Sequence, residues 1–231
     1  MSSLSPLQTQ IIIALFFALA LSYIPVIGKF LKCFNTLIHE SAHATCSLFF
    51  AGEVLSIDLF HTGAGLATTK ASNWFTKFFV SLAGYIGSSM FAIVCAYLIF
   101  YNHAVYILFI FFSLSLLNLI FWVRNVYGIV WLSIVAIIIG LLFYKGSVEY
   151  QNYAAILIGA VVFVDAWVSS LIILIISIKD AKNAGDAKNL QQLTYLPSFI
   201  WGLFFFAQAT IAVLWSVQLF VPSLWLIGSN L

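Results

Sequence analysis

The sequence predicts an all-α polytopic membrane protein with about seven transmembrane helices and a short β-hairpin at the membrane edge. Of its 231 residues, 64% are hydrophobic and only 7% are charged, and the mean hydropathy is +1.12. A soluble chain of this length buries too little of its surface to hide so many apolar side chains. Lipid must therefore be the solvent for most of the molecule, and helices with about 20 apolar residues are the expected unit.

Runs of apolar residues separated by short polar segments predict the individual spans. The first run follows a polar but uncharged segment, "MSSLSPLQTQ". That segment lacks the basic region of a cleaved signal peptide, so we expect the first run to be retained as a helix. The run that starts at residue 126 is separated from the one before it only by "VRN". The predicted spans are 9–27, 33–51, 78–101, 104–122, 126–144, 153–178 and 198–221.

Two polar segments are long enough to hold structure of their own. In the first, residues 52–73, side chains alternate with strand period through "VLSIDL", glycines follow in "HTGAG", and "LATT" suits a returning strand. This pattern predicts a β-hairpin, which is either an exposed loop or an edge strand that pairs with an extended peptide. The second segment, residues 179–197, is the most polar part of the chain and ends at Pro197, before the last predicted helix. We expect one membrane-embedded domain over residues 1–231.

The distribution of basic residues predicts the orientation in the membrane. Loops on the side of the N-terminus carry six Lys or Arg residues, and loops on the opposite side carry three. Since cytoplasmic loops are the more basic ones, we expect the N-terminus, the hairpin and residues 179–197 on the cytoplasmic side. A net charge of +2 without a basic block gives no reason to expect nucleic acid as a partner. The six residues are Lys70, Lys77, Arg124, Lys179, Lys182 and Lys188, and the three are Lys29, Lys32 and Lys145.

His39, Glu40 and His43 form an H-E-x-x-H pattern inside the second predicted span. Side chains four residues apart point the same way from a helix, so the two histidines can offer nitrogens to one metal ion. Glu40 is rotated off that pair and can reach a metal-bound water as a general base. An acid without a partner is costly inside a membrane, which favours a functional role over a chance match. The pattern predicts a zinc site with His39 and His43 as ligands and Glu40 as the catalytic base.

This membrane-embedded H-E-x-x-H resembles the motif of the site-2 proteases, the intramembrane zinc metallopeptidases. Three further stretches are similar to a compact bacterial and plant branch of that family: "FAGEVLSIDLFHTGAGLATT", "LAGYIGSSMFA" at 82–92 and "GDAKNLQQLTYLPSFIW" at 185–201. The resemblance runs from residue 31 to about residue 220. It implies a zinc cofactor, a membrane-protein substrate cleaved in or near a transmembrane segment, and a bacterial cytoplasmic membrane. The bias in basic residues adds the expectation that the active site opens to the cytoplasm.

The family uses an aspartate downstream of the histidines as its third zinc ligand, and the motif match carries that role to Asp186. The match departs from the L-D-G of the larger site-2 proteases, because this chain has Gly185 and Ala187 beside the aspartate. Asp165, in the middle of the sixth predicted span, is the alternative, since an acid inside the membrane is a functional candidate by default. Asp186 would have to reach the histidines on a re-entrant segment that lines a wet cavity. We favour Asp186 and keep Asp165 open.

Small residues recur in the third predicted span, where Gly84 with Ser88 and Ala83 with Gly87 form small-xxx-small pairs. Such pairs are typical of close helix packing in membranes. They also suit a helix that lies against the H-E-x-x-H helix and leaves room for a substrate backbone.

Two other functions remain open at the level of the sequence. The first is a binding or regulatory protein that keeps the protease fold without cutting. The second is an ion-coupled or proton-coupled transporter, which is suggested by Asp165 and the histidines inside the membrane. Zinc content, proteolysis and ion flux distinguish the three functions.

Overall fold

Eight α-helices and one two-stranded hairpin make up residues 5–71 and 73–221, which the computed structural model describes. This confirms the predicted helical membrane fold with a hairpin after the H-E-x-x-H helix. The predicted domain over 1–231 extends beyond the described residues at both ends. The elements are α1 (Pro6–Ser22), α2 (Pro25–Phe49), β1 (Glu53–Leu59), β2 (Gly65–Lys70), α3 (Trp74–Phe100), α4 (Val105–Phe121), α5 (Val126–Lys145), α6 (Val148–Lys179), α7 (Gly185–Thr194) and α8 (Ser198–Phe220).

The number of helices that could cross a membrane is smaller than the predicted seven. Among the described residues, α3, α5, α6 and α8 are long and apolar enough, and α1 with α2 adds a fifth span if that bent pair counts as one. Helix α4 is apolar but has only 17 residues. Helix α2 does not qualify alone because it carries the polar residues of the candidate site on one face. The prediction of seven spans is therefore approximate.

A sharp bend of 118° separates α1 from α2. Pro25 is the first residue of α2, where a proline has no N–H to lose but cannot continue the preceding helix. The bend brings the chain so close to itself that a Cβ on Gly28 would collide with the carbonyl oxygen of Ser22. The bend turns α2 away from α1.

The apolar core lies around the first half of α2. The ring of Phe34 packs edge-on against Phe111 of α4 and Trp131 of α5, with 5.1 Å between centroids in both pairs. Leu37, one turn further along α2, is fully buried. Between helices in lipid, such close contacts stabilise the fold through van der Waals packing. This packing fixes the direction of α2 and hence the positions of its polar residues.

The hairpin has one covered edge and one edge that faces a cavity. Strands β1 and β2 pair antiparallel, with Ile57 opposite Ala67 and Leu59 opposite Gly65. On the outer side of β1, the amide of Ile57 donates to the carbonyl of Trp122 at 3.0 Å. Within residues 5–71 and 73–221, no further strand pairs with the outer side of β2.

Helix α7 is a short amphipathic segment that packs against α3 and α8. Its buried residues are Ala187 and Leu190. The indole Nε1 of Trp74 donates to the carbonyl of Leu193 at 2.8 Å, and the indole of Trp201 donates to the hydroxyl of Thr194 at 3.1 Å. These contacts fix the last turn of α7, and Asp186 lies on its first turn.

Candidate metal centre

Three side chains from two distant parts of the sequence meet at one point. The Nε2 atoms of His39 and His43 are 3.1 Å apart, and Oδ2 of Asp186 is 3.2 Å from each of them. Of the described residues, these three form the one group of His, Cys, Asp or Glu with ligand atoms close enough to hold a metal ion together. The structure thus brings Asp186 to the two histidines of α2.

The size and chemistry of this triangle fit zinc. Two imidazole nitrogens and one carboxylate oxygen are a ligand set that zinc uses in catalytic sites. Bonds of about 2.0–2.1 Å at tetrahedral angles put ligand atoms about 3.3 Å apart, close to the separations of 3.1 and 3.2 Å seen here. The three ligand atoms would form one face of the tetrahedron and leave its fourth position for water or substrate.

Gly84 of α3 keeps the space beside the triangle open. A Cβ at this position would lie 2.5 Å from Nε2 of His43 and closer still to Nε2 of His39. Any other residue would therefore place carbon against the two nitrogens that face the metal position. The prediction that this helix lies against the H-E-x-x-H helix is consistent with this contact and with Gly87, whose Cβ would meet that of Ala42 at 2.5 Å.

Hydrogen bonds and ring contacts orient the two histidines. Nδ1 of His43 lies 2.6 Å from the carbonyl oxygen of Val80. A carbonyl can only accept, so Nδ1 carries the proton and donates it, which leaves Nε2 free as an electron-pair donor. The ring of His39 meets the ring of Tyr85 edge-on at 4.7 Å, and Tyr85 in turn stacks on Phe205 of α8 at 4.6 Å.

The surroundings of Asp186 favour its ionised form. Burial acts to raise the pKa of this carboxyl, but while both histidines carry a proton on Nε2, the charge on His43 and the hydrogen bonds from both rings outweigh that effect. The pKa of Asp186 consequently lies below its ordinary value. An ionised carboxylate is the form that binds a metal.

Glu40 is buried beside the triangle without belonging to it. Its Oε2 accepts a hydrogen bond of 2.7 Å from the amide of Ala67 in β2. Gly65 approaches the same side chain, since a Cβ there would come within 2.9 Å of Oε1 of Glu40. Glu40 thus lies between the two histidines and the outer edge of the hairpin.

The triangle and Glu40 line a cavity of about 640 Å³. Strand β2 forms one wall of it, and helix α7 contributes Asn189 and Gln192 to another. Polar groups from five elements therefore surround a space that is large enough for several residues of a peptide.

Asp165 lies in the same cavity but away from the triangle. Its Oδ2 accepts a hydrogen bond of 3.0 Å from Nδ2 of Asn35, one turn before His39 on α2. Of the two aspartates that the sequence left open, Asp186 is the one within reach of both histidines. The ligand roles themselves stay predictions.

Several residues around the site were missed from the sequence. The carbonyl of Val80 and the amide of Ala67 are backbone groups, which no side-chain pattern can reveal. Asn35 stands four residues before His39, and its place on the face of the H-E-x-x-H pattern is the signal that could have identified it.

The chain matches the model of a known protein family. The family model described as Peptidase M50B-like matches residues 12–216. This range includes His39, Glu40, His43 and Asp186. No curated protein matches the chain, and no solved structure matches it.

Proposed function

The chain belongs to the Peptidase M50B-like family, and on that premise we propose that it is an intramembrane zinc endopeptidase of the site-2 protease type. The observation that carries the proposal is the triangle of His39, His43 and Asp186 with Glu40 beside it. Its substrates would be membrane proteins, cut in or near a transmembrane segment. The family match supports a membrane metallopeptidase, and the remaining detail is our proposal.

His39, His43 and Asp186 would hold the zinc ion, each through the atom that now faces the others. Bound zinc would supply a Lewis acid for the peptide carbonyl and lower the pKa of a water molecule to about 7. Asp186 contributes a negative charge that a third histidine would not. The proton on Nδ1 of His43, held by Val80, keeps that ring in the tautomer suited to binding.

Glu40 would act as the general base and then as the acid. Its Oε2 is fixed by the amide of Ala67, so its other oxygen can accept a proton from the attacking water. Protonated Glu40 would pass that proton to the nitrogen of the leaving amine, which completes the hydrolysis. Loss of such a group typically slows a reaction by about 10²–10⁴-fold.

The outer edge of β2 would hold the substrate in an extended form. Ala67 points its amide out of the hairpin toward Glu40, and backbone groups alternate along a strand, so Gly65 and Thr69 point the same way. All three line the cavity. A helix in lipid hides its carbonyls in internal hydrogen bonds, and pairing with this edge would compensate an unwound segment for the bonds it loses.

We also propose the membrane in which the protein lies and its orientation there. The apolar helices support an integral membrane protein, and the basic residues close to the hairpin and α7, such as Lys70, Lys77 and Lys179, support a site that opens to the cytoplasm. The start of α1 lies at the opposite end of the helices, because Gln8 donates to the carbonyl of Phe220 at the end of α8, so the prediction that the N-terminus shares the side of the hairpin is wrong. The resemblance to the bacterial branch favours a bacterial cytoplasmic membrane. One membrane-embedded metallopeptidase domain over residues 1–231 fits the family match to 12–216.

The test is a cleavage assay in proteoliposomes with a set of synthetic single-span peptides, read by mass spectrometry, together with a zinc analysis. We expect about one zinc per chain, cleavage by the wild type, and no cleavage by Glu40→Gln at unchanged zinc content. Zinc without cleavage by the wild type would favour a binding or regulatory protein. Absence of zinc, with ion flux that depends on Asp165, would favour a transporter.

A further inference from the structure

A second polar cluster lies in the cavity, one helical turn from the metal triangle. Asn35 precedes His39 by four residues on α2, and Asp165 reaches it from α6 with an oxygen-to-nitrogen distance of 3.0 Å. Both side chains line the cavity that holds Glu40. Neither residue has a part in holding the metal or in the proton transfers described above.

This cluster offers acceptors that lack donors. Asn35 is 3% exposed, and its Oδ1 has no hydrogen-bond partner among the described residues. Within residues 5–71 and 73–221, Asn35 supplies the only hydrogen bond to the carboxylate of Asp165, and no lysine or arginine forms a salt bridge with it. Nearby Ser169 donates its proton to the carbonyl of Ala166 instead.

Such an arrangement is costly unless a ligand completes it. Buried carbonyl oxygens and carboxylates in native proteins are nearly always paired. Here the Asp165 side chain lines an open cavity beside the buried, unpaired Oδ1 of Asn35, and the groups that would complete such a cluster are N–H donors that carry positive charge. Lys32 lines the same cavity and is near enough to act on Asp165 electrostatically, but it forms no salt bridge with it, so the carboxylate keeps room for an incoming cation.

We propose that Asp165 and Asn35 form a substrate subsite that binds a lysine or arginine side chain near the scissile bond. The inference rests on the proposed protease function. Four residues of helix correspond to about 6 Å, and an extended peptide covers about 3.3 Å per residue. The cationic residue therefore lies about two positions from the bond that is cut.

The subsite would stabilise a membrane segment that enters the cavity with a cationic side chain. A lysine or arginine within a transmembrane helix is unfavourable in lipid. Transfer of that side chain to Asp165 pairs the charge and places the neighbouring backbone along β2. Substrates with a cation near the cleavage site are thereby distinguished from the many apolar spans that surround the enzyme.

The test uses synthetic single-span peptides that differ at one position only. A lysine is moved through each position within four residues of the cleaved bond, and methionine or glutamate replaces it in matched peptides. With the zinc-loaded wild type in proteoliposomes, we expect lysine about two residues from that bond to raise kcat/KM by roughly tenfold or more over methionine, as a hydrogen-bonded charge does. Glutamate at that position should lower kcat/KM below the value for methionine.

Variants on α6 test whether the preference for lysine over methionine arises from the cluster of Asn35 and Asp165. In Asp165→Asn, the ratio of kcat/KM for lysine over methionine should fall to about one. Glu149→Gln replaces an exposed acid on the same helix and should keep the ratio of the wild type. A wild type that cleaves lysine and methionine peptides equally at every position overturns the subsite, as does an Asp165→Asn variant that keeps the preference.

A binding measurement separates the subsite from the proposed function. Glu40→Gln protein in nanodiscs is titrated with fluorescent peptides, and we expect the Kd of the lysine peptide to be at least tenfold lower than that of the methionine peptide. The difference should vanish in the double variant Glu40→Gln, Asp165→Asn. Selective binding without cleavage by the wild type would sustain the subsite and overturn the protease. Cleavage by the wild type without selectivity for lysine in either assay would sustain the protease and overturn the subsite.

Discussion

The amide of Ala67 donates a hydrogen bond of 2.7 Å to Oε2 of Glu40, and this contact joins the hairpin to the H-E-x-x-H helix. A strand edge that would pair with an extended peptide thus touches the residue that would protonate the leaving amine. The hairpin and the general base consequently have a fixed relative position. A substrate laid along β2 would pass beside Glu40 and in front of the metal triangle.

Replacing Ala67 with proline tests this contact. The change removes the N–H that holds Glu40, so we expect kcat/KM to fall by roughly tenfold to hundredfold, the range for a hydrogen bond to a charged group. Zinc content should stay near that of the wild type, because Ala67 does not touch the triangle. Ala67→Gly keeps the N–H and is the matched control. Equal losses in both variants would mean that the N–H has no role.

Alanine substitutions of Asp186 and Asp165 are compared by how much bound zinc each variant loses. Loss of a ligand should weaken binding by more than the roughly 10–100-fold that loss of an outer partner costs, so Asp186→Ala should release zinc under dialysis. Asp165→Ala should retain it, because Asp165 bonds to Asn35 instead. Metal analysis of the two purified variants after the same dialysis measures the difference. The opposite order would assign the third ligand to Asp165.

Gly84→Ala places a methyl group against both Nε2 atoms. We expect the affinity for zinc to fall by roughly 100-fold or more, beyond the usual cost of losing an outer partner. Gly140→Ala on α5 is the matched control, since its nearest neighbour would be 3.7 Å away and alanine favours a helix. Zinc competition titrations compare the two proteins. Unchanged affinity in Gly84→Ala would contradict the position of the metal.

Trp74→Phe removes the hydrogen bond that ties α3 to Leu193 at the end of α7. The free energy of unfolding should fall by about 1 kcal/mol, the usual net value of one hydrogen bond. Zinc affinity should fall by up to about tenfold, because Asp186 sits on the helix that is loosened. Trp215→Phe alters an exposed indole with no hydrogen bond in the described part. This control should change neither the free energy of unfolding nor the zinc affinity. Thermal unfolding and zinc titration report the two quantities.

The sequence predicts the parts of the site that lie close together along the chain. The spacing of His39 and His43 on one helix face required no tertiary information, and strand alternation with glycines was sufficient for the hairpin. The number of spans was less predictable, because hydropathy alone cannot show that the chain turns by 118° before Pro25. The predicted span 104–122 matches α4 within one residue at each end, but hydropathy alone does not show that so short a helix falls below the length of a span.

Contacts between distant residues required the fold. Motif resemblance pointed to Asp186, but its approach to the histidines depends on how α7 docks through Trp74 and Trp201. Small-residue spacing indicated close packing at Gly84 without showing that the neighbours are imidazole nitrogens. The pairing of Asn35 with Asp165 joins residues 130 positions apart, and neither residue alone signals the other.

The most direct measurement is the rate at which zinc-loaded wild type and Glu40→Gln cleave the same single-span peptide in proteoliposomes. Glu53→Gln, an exposed glutamate of β1, is the matched control. An intramembrane zinc peptidase with Glu40 as its base predicts that Glu40→Gln loses at least about 10²-fold in rate at equal zinc content, while Glu53→Gln cleaves like the wild type. Equal cleavage by folded Glu40→Gln and wild type would contradict it.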